Sequence, residues 1–183
     1  HKAPHPVDEA WFSARCEELF GESAVHRRAA RAVLERDFVI VTGGPGTGKT
    51  RTAVRLVALL LSRARAEGRT LDVQMMAPTG KAAARLVQSV EKELKALDEA
   101  TAKAIPAVAT TIHRALGTVP DSVVRARHHA DRPLHADVVL VDEASMIDAS
   151  LFRRLVEALR PGAKLVLLGD ADQLASVDAG AVF

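Results

Sequence analysis

Gly43-Gly44-Pro45-Gly46-Thr47-Gly48-Lys49-Thr50 decides how the rest of the chain reads. The stretch fits G-x-x-x-x-G-K-[ST], in which backbone N–H groups turn inward to form an anion cradle. All four glycines are expected to serve its bends. Phe38-Val39-Ile40-Val41, just before it, reads as a buried strand, and residues 52–65 after it read as a helix. A helix beginning near Lys49 adds the positive end of its dipole to the cradle. Lys49 is placed to reach the β- and γ-phosphates of a nucleotide, and the Thr50 hydroxyl to ligate Mg²⁺. Arg51 is grouped with the loop as a nucleotide contact. A Gly-rich turn without a ligand has no use for Lys-Thr at its end.

Composition sets the outer limits. The chain has 183 residues, 48% of them hydrophobic, which suits one domain with a real core. The longest apolar run, residues 54–61, contains Arg55 and is too short to span a bilayer. No signal-peptide pattern opens the sequence, and no membrane role is expected. Cys16 is the only cysteine, so no internal disulfide forms and a reducing cytoplasm fits. A net charge of +2 permits nucleic acid as a partner without arguing for it. The chain starts without Met and ends on Val182-Phe183, so both ends read as cut.

In chain order, Pro4 and Pro6 mark an extended lead-in. Asp8 caps a helix to about residue 20, with Trp11, Phe12, Cys16, Leu19 and Phe20 on one face and Gly21 as its stop. Ser23 caps a second, with Ala29, Ala30, Val33 and Leu34 inward and His26, Arg27, Arg28 and Arg31 solvated. After the loop and its helix, residues 71–76 form a strand leading into Ala77-Pro78-Thr79-Gly80-Lys81. A helix over 81–97 follows. The repeated β–α unit predicts an α/β fold, a mostly parallel sheet with helices on both faces. Residues 98–109 hold at most one short helix. Thr110-Thr111 caps another, ended by Gly117. Residues 118–135 are a polar insert with room for a small hairpin. His128 and His129 within it lack the spacing of a metal site.

Asp137-Val138-Val139-Leu140-Val141 is an apolar run ending in Asp142-Glu143. Two carboxylates at the end of a buried strand need compensation. A Mg²⁺ site supplies it: Asp142 holds the ion through water, and Glu143 orients and activates the attacking water. A fourth strand, Lys164-Leu165-Val166-Leu167-Leu168, ends at Gly169-Asp170. The amide of Gln173 just beyond it either senses a γ-phosphate or is a polar loop side chain.

These residues resemble motifs I, Ia, Ib, II and III of superfamily 1 DNA helicases. The match runs through residues 43–50, 77–86, Thr111-Ile112-His113, 141–148 and 168–177, in order, and covers about residues 23–183. The wording, including Arg127-His128-His129-Ala130, is nearest to the branch that supplies the alpha subunit of exodeoxyribonuclease V. The resemblance implies a RecA-like P-loop NTPase domain with the 164–168 strand between the loop strand and the Asp142 strand. It implies ATP and Mg²⁺, 5′→3′ movement on single-stranded DNA, a role in break repair and recombination, and RecB- and RecC-like partner subunits. Gln173 becomes a γ-phosphate sensor. Pro78, Thr79, Gly80, Lys81, Thr111 and His113 become contacts to the DNA backbone, where hydroxyls and N–H groups near helix N-termini suit phosphates. Residues 1–36 form a helical segment, and 37–183 the first motor domain.

Two departures stand out. Relatives commonly carry Gln upstream of the loop to read adenine, where this chain has His26, which also joins the nucleotide contacts. The second RecA-like domain, with its arginine for the γ-phosphate, is absent. An assembly module without turnover and a stand-alone helicase of the same branch are the competing readings. A P-loop kinase or GTPase fits less well, because adjacent Asp142-Glu143 favours water attack.

Overall fold

In the computed structural model, residues 7–44, 46–118 and 126–170 are described. Helices α1 (Glu9–Phe20) and α2 (Ala24–Glu35) come first. Asp8 caps α1 by accepting from the amides of Ala10 and Trp11, and Ser23 caps α2 through His26 N. Gly21 ends α1 with φ of 64°. Next come β1 (Phe38–Thr42), α3 (Lys49–Ala66), β2 (Val73–Ala77), α4 (Gly80–Leu94) and α5 (Glu99–Ala104). The chain continues with β3 (Ala109–Thr111), α6 (Ile112–Leu116), β4 (Val138–Val141), a 3₁₀ turn (Ala144–Met146), α7 (Ala149–Glu157) and β5 (Lys164–Gly169).

The five strands form one parallel sheet in the order β1-β5-β4-β2-β3. β5 lies between β1 and β4, the placement implied by the motif resemblance. Alternate residues of each strand face opposite sides. Val39, Met75, Leu140, Val166 and Leu168 pack under α1–α4, while Met76, Val139, Val141, Leu165 and Leu167 pack under α6 and α7. Helices therefore cover both faces. Helix α3 is buried along most of its length, from Ala53 to Ala64, because helices and sheet enclose it.

Several expectations need correction. β1 is not a buried strand. It is an outer strand of the sheet as described, so only Val39 is buried, while Phe38 and Ile40 are 46% and 41% exposed. The strand β3 was absent from the sequence reading; its three residues pair with β2. The arginines of α2 are not simply solvated. Arg31 makes a two-armed pair with Glu9, at 2.6 and 2.7 Å, and lies 4.1 Å over the Phe12 ring. Of the polar insert, residues 119–125, including the strand-like Val123-Val124-Arg125, lie outside the described residues. The rest holds one isolated bridge, His129 to Arg132. No group of three or more metal-ligating side chains occurs among the described residues.

Candidate active site

The phosphate loop follows β1, Asp142 follows β4 and Asp170 follows β5, so all three emerge at the C-terminal edge of adjacent parallel strands. That edge is where open α/β sheets bind ligands. Two of the four loop glycines make the bends: Gly46 and Gly48 have φ of 74° and 83°. Gly43 and Gly44 do not adopt positive φ. Gly43 is needed for space instead, since a Cβ there would sit 2.6 Å from Thr47 Oγ1. That hydroxyl donates to Gly44 O at 2.8 Å. Lys49 Nζ donates to the carbonyls of Gly43 and Gly44, the latter at 2.8 Å. The ammonium thus folds back along the loop. Pro45 lies outside the described residues.

A cavity of about 550 Å³ opens over the loop, lined by Lys49, Thr50, Asp142, Glu143 and Asp170 among others. Burial pushes the Asp142 carboxyl above its usual range. Hydrogen bonds from the Glu143 N–H and the Thr50 hydroxyl, with the Lys49 charge, oppose that rise, while the Glu143 charge adds to it. Thr50 and Asp142 thus set two hard oxygen donors side by side. Such a sparse pair fits Mg²⁺, which keeps several waters and takes substrate phosphate oxygens for the rest. Glu143 has φ of 55°, the only positive φ at a non-glycine among the described residues. Such a conformation costs about 1–2 kcal/mol for an L-residue.

A second cavity, about 390 Å³, lies beside the loop and is lined by Phe20, His26, Arg51, Thr52 and Arg55 along with loop residues. His26 does not point into solvent as its place on α2 suggested. Its ring stacks on Phe20, with centroids 5.6 Å apart and planes at 22°, and its Nε2 lies 3.2 Å from Thr52 Oγ1. Nδ1 is buried without a hydrogen-bond partner among the described residues.

The six candidate DNA contacts gather at one place. Pro78, Thr79, Gly80 and Lys81 follow β2, and Thr111 and His113 lie at the end of the neighbouring β3, where Ala77 pairs with Thr111. Thr79 and Thr111 already accept from Ala82 N and Arg114 N, both at 3.2 Å, as helix caps. Each hydroxyl still has a proton to donate. Gln173 lies outside the described residues.

Sequence reasoning missed Phe20, Glu93 and Asp170 as cavity-lining residues. Asp170 carried a usable signal, an acid one residue past a buried strand, like Asp142. Phe20 read as core, and Glu93 as one more charge on a helix.

A family model described as an AAA domain matches residues 26–179. The chain belongs to this AAA domain family. Over 167 residues this AAA domain is 48% identical to the RecBCD enzyme subunit RecD of Mycolicibacterium smegmatis, an alignment covering 90% of the chain and 30% of that protein. It is 41% identical over 142 residues to the ATP-dependent RecD2 DNA helicase of Deinococcus radiodurans, covering 78% of the chain and 16% of the relative. The motif resemblance to the alpha subunit of exodeoxyribonuclease V thus holds: this is a RecD-like AAA domain. It spans less than a third of the length of the curated relatives it matches. The crystal structure of T4 UvsW aligns with a TM-score of 0.62 at 10% identity, over 94% of this chain and 36% of that one. Sheet order and this likeness make the fold a RecA-like P-loop α/β domain. Its family and its relatives make it a nucleotide-binding domain. No helix among the described residues is long and apolar enough to cross a membrane.

Proposed function

We propose that this chain is the first motor domain of an ATP-dependent 5′→3′ DNA helicase that works beside RecB- and RecC-like subunits at DNA ends in the cytoplasm. The observation that carries this is the convergence of Lys49, Thr50, Asp142 and Glu143 on one cavity over the phosphate loop. Loop amides and Lys49 hold the β- and γ-phosphates, the ammonium exchanging loop carbonyls for phosphate oxygens. Thr50, and Asp142 through water, would hold Mg²⁺, which would supply positive charge beside the phosphates. Glu143 orients the attacking water and takes its proton. Gln173 reads the γ-phosphate, and the cap residues at 79–81 and 111–113 hold the phosphates of single-stranded DNA.

The remainder of the protein supplies the second RecA-like domain and an arginine for the γ-phosphate, a group that contributes about 10³–10⁵ in rate. Steady-state ATP hydrolysis by the 183-residue piece, with and without single-stranded DNA, is the test. Little or no turnover is expected from the piece and DNA-stimulated turnover from the full-length protein. Stimulated turnover by the piece alone would show that this domain completes the site unaided.

His26 gives a further expectation. One imidazole offers a single bond to a base edge in place of the two that an amide makes. Discrimination of ATP over GTP should therefore be weaker than in a His26→Gln variant, by about tenfold or less for the lost bond. Competition of GTP against ATP hydrolysis measures it, and equal or greater selectivity with His26 sinks the idea. A stand-alone helicase is the second reading, favoured by the RecD2 relative.

A further inference from the structure

Glu93 stands in the last turn of α4, with its side chain only 16% exposed, and lines the cavity over the phosphate loop. A carboxylate there is out of place. The cavity is built for a polyanion, and an uncompensated negative charge would oppose one. Two arginines of α3 compensate it: Glu93 Oε2 is 3.6 Å from Arg55 Nε and 3.7 Å from Arg51 Nε.

These two arginines lie on the other side of the loop. Both line the second cavity, with Phe20 and His26, and Arg51 lines both cavities. Arg55 is 18% exposed, its buried Nε makes no hydrogen bond among the described residues, and its charge pairs with Glu93. Its other arm donates to the carbonyl of Leu19. The next residue is Phe20, the ring that stacks on His26, and His26 in turn meets Thr52 one turn from Arg55. A closed set of contacts therefore runs from Glu93 through Arg55 to the end of α1 and round to His26.

We propose that Glu93 is a positioning residue for the base side of the nucleotide site, acting through Arg55 and Arg51 on the cavity formed by Phe20 and His26. The inference rests on reading the loop as a nucleotide site. Without the carboxylate, Arg55 is a half-buried cation with no counter-charge among the described residues. It then gives up its place on Leu19, and the Phe20 side of the cavity loses its fixed wall. Arg51, 60% exposed, loses the charge that orients it across the mouth between the two cavities. The loop N–H groups keep their places, and so does Lys49, which is held by the carbonyls of Gly43 and Gly44 and not by Glu93.

The test uses the full-length protein, a fluorescent ATP analogue, and two unlabelled competitors, ATP and inorganic tripolyphosphate. Glu93→Gln should weaken ATP by about tenfold and leave tripolyphosphate within about twofold. Arg55→Lys should do the same, and the double variant should lose little more, because both act on one contact. A variant that merely loosens the fold would weaken both ligands alike. Equal weakening, or no change for ATP in either variant, overturns the inference. Lys49→Ala is the control for the underlying reading and should weaken both competitors. If it leaves both unchanged, the nucleotide site itself has been misplaced, a failure separate from that of Glu93.

Discussion

Lys49→Ala in the full-length protein will lower DNA-stimulated ATP turnover by at least about a hundredfold, the scale of losing a main electrostatic contact to a developing charge. The reason lies in what remains. The triphosphate would face loop amides and the Thr50 hydroxyl without the ammonium that lies along the loop, leaving Arg51 and Lys92 as the other cations lining that cavity. Lys49 also ties the carbonyls of Gly43 and Gly44 together, so its loss frees the loop as well as removing the charge. Binding and turnover should both suffer, because phosphates carry charge in the ground state as well as in the transition state. Equilibrium binding of a fluorescent ATP analogue and steady-state hydrolysis measure the two effects. Turnover within tenfold of the parent protein would mean that the reacting phosphate sits elsewhere.

Glu143→Gln separates chemistry from binding. Turnover should fall by about 10²–10⁴, the usual contribution of a positioned general base. Nucleotide affinity should stay within a few-fold. Glutamine keeps the shape, volume and β-carbon of the side chain, so the backbone at φ of 55° is no more costly than before. The neighbouring acid gains slightly. The charge of Glu143 helps to raise the Asp142 carboxyl, so its removal lets Asp142 ionise more readily and hold a cation at least as well. The variant should therefore accumulate bound, unhydrolysed ATP. Filter binding with labelled ATP after a single turnover reads this directly. Equal losses in affinity and in turnover would make Glu143 a structural acid.

How much of this was legible in the sequence depends on range. The phosphate loop and the Asp142-Glu143 pair were legible because their spacing is local and their chemistry is narrow. The caps at Asp8, Ser23 and Thr111 were within reach for the same reason, since each satisfies an amide two or three residues on. β3 was not legible, because three residues have no measurable period. The exposure of Phe38 and Ile40 was hidden too. A short apolar run looks the same in the centre of a sheet and at its rim, and only strand order distinguishes them. Helical period put His26 outside because it describes one helix at a time. The partner that draws the ring inward, Thr52, comes from α3. Glu93 had no local signal at all, since its meaning lies in Arg51 and Arg55 on another helix.

The left-handed backbone at Glu143 sets the preference of the fold against the role proposed for that side chain. Glycine adopts that conformation without the penalty, so by the backbone alone a glycine at 143 would relax the fold by about 1 kcal/mol. It would also remove the proposed base. Selection for thermal stability alone, applied in the laboratory, would favour that inert variant. A carboxylate on a backbone that favours glycine is what the proposed role of Glu143 requires: the side chain that takes the proton carries the cost of its own placement.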